Sequence, residues 1–407
     1  MRRVIYAWNY VEWGGAQIYT LALIQEARKL YDVTVVLPHG SSDELLRFLD
    51  QAAIKYEFFG PPGDFDSART LFRRLQRRWR KLRSEGALVR HLIAKDLRHT
   101  ILHVDLSPTQ SFFSLLSLCS RTHVFFTAHN AGQPFPRWRE MSWAAKIRLL
   151  CRTGRFHIFC ANENTKEYLL RFASEETAKS FTVTRAGVDT VATAQILKSD
   201  FDRDAVLSQF GLAADKTIVL TVGQFIDRKG RWPYLETIRK ITRKRKDIQF
   251  LWLMPKFPGD LDSATIGEYE VGEYFKMILS SDAGASRTEI LKFFRVADIY
   301  VLPSFVEGVP ISLLEAMALG LPSISTRING IPEAIESGKT GLLVEPGDVD
   351  GLEKAILQLV EDPTLRDEFA LHGQSFVTSR FDERAGAEDA VNEYDKISRR
   401  NMSSRHR

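Results

Sequence analysis

The stretch "VLPSFVEGVPISLLEAMALGLPSIS", residues 301–325, holds two glutamates eight positions apart, Glu307 and Glu315, in a segment that otherwise reads as core. The apolar run ending at Ser304 reads as a buried strand. "FVEGVP" reads as a loop, Pro310 as the start of a helix and Gly320 as its stop, with a second strand in "PSISTR". A strand, a short helix and a strand in succession form a βαβ unit, which belongs to a parallel sheet. Such a helix starts at the carboxyl end of its strand. Its first amides, Ile311, Ser312 and Leu313, lack helical partners and favour an anion. A carboxylate repels phosphate but accepts hydrogen bonds from hydroxyls, so Glu307 and Glu315 beside such a site suit a ligand with both groups. Taken alone, Glu307 also reads as a cap and Glu315 as a solvent-facing helix residue.

The same alternation runs outward along the chain. "RVIYAW", a Gly14-Gly15 turn and "AQIYTLALIQEARKL" open it, and "DVTVVLP", "ILHVDL", "HVFFTAH", "HIFCAN" and "SFTVTRAG" follow as strands. The pattern restarts with "TIVLTVG", "IQFLWLMP" and "DIYVLPS". Two α/β domains are therefore expected: residues 1–190, residues 191–380, and a terminal helix over 381–400 packing back on the first domain. The last residues, "NMSSRHR", read as a tail outside the fold. Two doubly wound sheets imply a cleft, with ligands outside the carboxyl ends of their strands.

The second domain supplies charge to match. "VLTVGQFIDRKG", residues 219–230, is a strand end, a glycine turn at Gly223 and the pair Arg228-Lys229, placed to neutralise phosphate oxygens.

The chain has 407 residues, 44% apolar and 26% charged, with a net charge of +5. No run reaches the roughly 20 apolar residues that cross a bilayer, and the apolar start is shorter than a signal peptide needs. Cys119, Cys151 and Cys160 lack metal or disulfide spacing and suit a reducing cytosol. "DFD" at Asp64–Asp66 reads as a loop and "DVD" at Asp348–Asp350 as a helix start, not as metal sites. The basic excess is concentrated in "RTLFRRLQRRWRKLR", residues 69–83, with eight Lys/Arg and no acid. Its apolar residues Leu71, Phe72, Leu75, Trp79 and Leu82 recur at helical spacing. That fits either a helix on an anionic membrane or a surface helix with a core-facing stripe. No nucleic-acid motif accompanies it.

Taken together, "GQFIDRKG", "ADIYVLPSFVEGVPISLLEAMALGLPSISTR", "NGIPEAI" and "GLLVEPGD" resemble the C-terminal domain of retaining GT-B-fold glycosyltransferases of family 4, the glycosyl transferases group 1. "WGGAQIYTLALIQEARK", "TAHNAG" and "AGVD" resemble the family's first half. The resemblance implies an α/β GT-B fold, two Rossmann-like doubly wound domains facing each other across a cleft. It implies transfer of a sugar from a nucleotide-sugar, without a metal cofactor, to a glycan, lipid-linked or small-molecule acceptor, as in polysaccharide biosynthesis. By the same resemblance Glu315 accepts ribose hydroxyls and Glu307 contacts the transferred sugar. Arg228 and Lys229 bind the diphosphate, with Gly223, Gly308, Val309, Pro310, Ile311, Ser312 and Leu313 shaping the donor site. Gly14 and Gly15 approach from the other side, and His129 lies near the sugar. Glu307, His129 and Lys229 are the expected catalytic set. His103 and Asp105 are expected to shape the acceptor side. Acceptor choice is expected from Gly60–Arg90 and Gly132–Trp143.

The sequence departs from the family's pattern at Gln224, where Arg is common, at Ala186, where Asn is usual, and at Leu253–Asp260, which replaces a Gly-rich turn. A nucleotide-sugar epimerase and a non-catalytic nucleotide-sugar binder are the competing readings. The expected location is the cytoplasm, peripheral on the inner membrane face.

Overall fold

The computed structural model describes residues 2–11, 14–61, 71–132, 136–284 and 286–403. The chain divides into two compact units: the residues up to Arg185 together with those from Arg384 on, and Ala186–Glu383. Asp64–Asp66, and residues 69 and 70 of the basic segment, lie outside the described residues.

The first unit is built on seven parallel strands: β1 (Arg3–Ala7), β2 (Asp32–Pro38), β3 (Lys55–Phe59), β4 (Thr100–Val104), β5 (His123–Ala128), β6 (Phe156–Cys160) and β7 (Phe181–Val183). Their order in the sheet is β3-β2-β1-β4-β5-β6-β7. The order reverses between β1 and β4, whose registers align Ala7 with Val104. The C-terminal helix Glu383–Ser403 also belongs here from Arg384 on, and it continues past the boundary expected at residue 400. Its Tyr394 is fully buried, with its hydroxyl 2.5 Å from His103 Nδ1 and 3.3 Å from the Tyr6 hydroxyl.

The second unit carries six parallel strands: β8 (Thr217–Val222), β9 (Ile248–Met254), β10 (Phe275–Leu279), β11 (Ile299–Leu302), β12 (Ser323–Thr326) and β13 (Leu342–Val344). The order is β10-β9-β8-β11-β12-β13, reversing between β8 and β11. All seven residues of β9 are buried, because helices cover both faces of the sheet. The two-residue period sends Leu251 and Leu253 into one core, and Phe250, Trp252 and Met254 into the other.

Candidate functional site

The reversal point in the second sheet brings two loops together. β8 and β11 pair directly, so the segments that leave their carboxyl ends run side by side. After β8 the chain passes Gly223 and Gln224 and makes a short 3₁₀ turn, Asp227–Lys229. Gly230 ends that turn at φ +74°, and a Cβ there would lie 1.9 Å from the Pro303 carbonyl oxygen of the neighbouring loop. Only glycine fits the left-handed turn at that approach. The contact is reinforced by Phe305 N–H donating to Arg228 O at 2.8 Å and by Arg228 Nη1 donating to Val306 O at 3.0 Å.

These loops gather Glu307 with both cations. Lys229 Nζ lies 2.6 Å from Glu307 Oε1, and Arg228 Nη1 lies 3.4 Å from Oε2. Ser304 Oγ donates to Oε1 at 2.9 Å. Glu307 and Lys229 are buried and Arg228 is partly exposed. A buried carboxylate with two cations and a hydroxyl is held in one geometry. Gly223, at φ +142°, makes room for Lys229, whose Cε would lie 3.2 Å from a Cβ there.

Val309 and Pro310 lead from Glu307 and Gly308 into the helix Ile311–Ala318. The Leu313 and Leu314 amides both donate to Pro310 O, at 3.1 and 3.2 Å. This corrects one expectation: Leu313 is engaged within the helix, and the amides outside its ladder are those of Ile311 and Ser312. Ser312 also accepts from the Tyr300 hydroxyl at 2.9 Å. Gly320, at φ +77°, terminates the helix with its amide on Met317 O at 3.0 Å.

Glu315 sits one turn along. It is buried, 6% exposed, which overturns the reading of a solvent-facing helix residue. Arg287, the first residue of the helix Arg287–Phe293, donates to Glu315 Oε1 from Nη2 at 3.0 Å and from Nε at 3.2 Å. Burial pushes the Glu315 carboxyl above its ordinary range, and the Arg287 charge opposes that shift. Arg287 Nη1 also lies 3.6 Å from Glu383 Oε2. Sequence reasoning missed Arg287. Its only local signal is the capping box that Ser286 and Glu289 form at the start of its helix.

Gly14, Gly15 and His129 belong to the first unit. Gly14 caps the helix Gly15–Ala27 after β1, and His129 follows β5. His129 packs edge-on to Tyr19, with ring centroids 5.4 Å apart. Burial lowers its affinity for a proton, and Asp105 pulls the other way. Asp105 follows β4, donates its amide to Ala7 O at 2.9 Å and accepts from the Tyr10 hydroxyl. His103 lies within β4 rather than after it. It is buried between Tyr394 and Thr127, whose hydroxyl lies 2.9 Å from its Nε2, and burial holds it down at about 3. Asp348 caps the helix Val349–Glu361 by accepting from Gly351 N–H at 2.9 Å, as its helix-start reading requires.

Residues 216–362 match the family model described as glycosyl transferases group 1, and residues 13–191 match that of glycosyltransferase family 4. A lipopolysaccharide core biosynthesis glycosyltransferase of Rhizobium meliloti is 30% identical over 42% of this chain and 48% of its own. An alpha-D-kanosaminyltransferase of Streptomyces kanamyceticus is 27% identical over 48% of this chain and 49% of its own. The chain thus spans about half the length of these curated relatives. Among solved structures, sucrose-phosphate synthase from Thermosynechococcus elongatus superposes with a TM-score of 0.73 at 20% identity, over 97% of this chain and 99% of that one. Anabaena HepE, in complex with UDP, superposes with a TM-score of 0.72 at 16% identity, over 97% and 100%. Both show the fold, the two-sheet α/β GT-B architecture. The two family matches fall one on each half of the chain, and the chain belongs to the family 4, group 1 glycosyltransferases.

Proposed function

We propose that the protein transfers a sugar from a nucleotide-sugar to a hydroxyl acceptor with retention of configuration. One observation carries the reading. Lys229 and Arg228 converge on the buried Glu307 at the strand-order reversal, beside the two unladdered amides of Ile311 and Ser312. Cations and amides take the two phosphates, and the carboxylates take hydroxyls: Glu315 those of the ribose, Glu307 one on the transferred sugar. As the bond between the anomeric carbon and the phosphate oxygen breaks, negative charge grows on the leaving diphosphate. Lys229, Arg228 and the helix amides are fixed in advance where that charge develops, which lowers the barrier. The new bond forms to the acceptor oxygen on the face the phosphate leaves, and the acceptor proton passes to a phosphate oxygen. Glu307 and Glu315 succeed one another along a single loop and helix rather than facing each other across a bond, so a glycosidase arrangement is disfavoured. The side-chain cations supply the positive charge, and we propose that transfer needs no metal. Three free, buried cysteines suit a reducing compartment.

The test is release of nucleoside diphosphate from a panel of UDP-, GDP- and ADP-sugars. One donor should be turned over, also in EDTA. Lys229→Ala and Glu315→Ala should each lower the rate about 100-fold or more. Unchanged turnover in both variants contradicts the assignment. Isomerised donor without acceptor would indicate an epimerase, and donor uptake without diphosphate release a binding protein.

A further inference from the structure

Among its described side chains, the basic helix Leu71–Ile93 leaves the apolar stripe of its first half exposed. Its core contacts come from the second half, where Leu88 and Leu92 are fully buried. In the first half Leu75, Trp79 and Leu82, at i, i+4 and i+7, are each more than half exposed. The reading of a core-facing stripe is thereby overturned for these three; the side chains of residues 71–74 lie outside the described residues. Arg77, Arg78, Arg80 and Arg83 flank the stripe.

Two neighbouring helices of the same unit extend this surface. Phe112–Cys119 presents Phe113 at 82% exposure, and Arg137–Arg152 presents Trp138 and Met141, each at 72%. The three helices are tied side by side by buried and part-buried polar contacts. The Glu85 carboxylate accepts from Ser111 Oγ at 2.8 Å and from Ser114 Oγ, and Lys146 Nζ donates to Thr109 O at 2.9 Å. Glu85 is the one acid in Leu71–Ile93, and it faces inward. One layer thus carries exposed large apolar side chains from three elements amid arginines.

We propose that this layer docks on an anionic lipid bilayer, with the aromatic and apolar side chains at headgroup level and the arginines on lipid phosphates. The charge decides the occupant. A second copy of the chain would set like charges opposite one another in a self-paired interface. Nucleic acid would engage the arginines but leave Trp79, Phe113, Trp138 and Met141 without a partner. Phe113, Trp138 and Met141 stand within the first two turns of helices that follow the carboxyl ends of β4 and β5, the edge of the sheet that also carries His129. A docked bilayer would therefore present a lipid-linked acceptor at that edge, a consequence that rests on the transferase reading.

Co-sedimentation of the full chain tests the docking, using vesicles of phosphatidylcholine alone and of phosphatidylcholine with phosphatidylglycerol. The wild type should bind the anionic vesicles about tenfold more tightly or better, and less so as salt rises. Trp79→Ser with Trp138→Ser, and separately Arg77→Gln with Arg78→Gln and Arg83→Gln, should each weaken that binding about tenfold. Both variants alter exposed or part-exposed side chains of the first unit and should keep wild-type donor binding, so a failure of docking is distinguishable from a failure of the transferase reading. Equal binding to neutral and anionic vesicles overturns the proposal. So does wild-type vesicle binding by the double Trp variant, and so does binding to duplex DNA as tight as to anionic vesicles.

Discussion

Arg287 faces two carboxyls, the buried Glu315 at the proposed donor site and the part-buried Glu383 at the end of the second unit. The Glu383 carboxyl is pushed up to about 7, by burial first and then by the Asp189, Glu315 and Asp382 carboxylates, with Arg287 opposing. An unfolded chain releases this proton near the ordinary value of 4.5, whereas the folded chain keeps it to about 7. Between those limits the native state binds more protons, so this group's contribution to stability falls as pH rises and levels off above about 7. Glu383→Gln removes the titration. Urea unfolding at a series of pH values should show the variant gaining on the wild type between pH 4.5 and 7, by on the order of 2 kcal/mol. Parallel stability profiles for the two proteins would contradict it. Little of this was legible in the sequence. Glu307 and Glu315 stood out because they break an apolar run. Arg287 gives no such signal, because its partners lie 28 and 96 positions away and only the fold brings them into reach.

At the scale of elements, the strands differ in how plainly the sequence declares them. Strands inside each sheet are covered on both faces and read as continuous apolar runs, as in "IQFLWLM". The strands that sequence reasoning missed, β3, β10 and β13, all lie at sheet edges. There "KYEFF", "FKMIL" and "LLV" are only partly buried, and the apolar signal is diluted by Lys and Glu or cut short. The turn between β8 and the following helix was legible from Gly223, Arg228 and Lys229, but its close approach to Pro303 was not. Gly230→Ala should therefore act twice. It strains a left-handed turn and pushes a methyl against the Pro303 carbonyl, costing roughly 2–4 kcal/mol. It also shifts Arg228 and Lys229 away from Glu307. Thermal unfolding together with donor turnover checks this, and a variant of wild-type stability and rate would show that the two loops do not depend on that contact.

Across the whole molecule, the repeated strand–helix alternation made the two parallel sheets legible, because an all-parallel sheet needs a crossover helix between strands. Which strands are neighbours was not legible, and that ordering is what makes the site. Residues 79 positions apart, Arg228 and Glu307, meet because β8 lies against β11 instead of next to β12. The C-terminal helix was expected on the first unit, and its hold there is a set of polar contacts, Tyr394 with His103 and Asp395 with Arg2 and Tyr31, that no local pattern announces. The central claim is that the second unit grips a nucleotide-sugar at residues 307–315 with Lys229 and Arg228. A crystal structure with the turned-over donor bound tests it most directly. The account predicts the ribose hydroxyls on Glu315, the diphosphate on Lys229, Arg228 and the Ile311 and Ser312 amides, and the sugar on Glu307. A donor bound elsewhere, with the Glu307–Lys229 pair and Glu315 untouched by ligand, would contradict it.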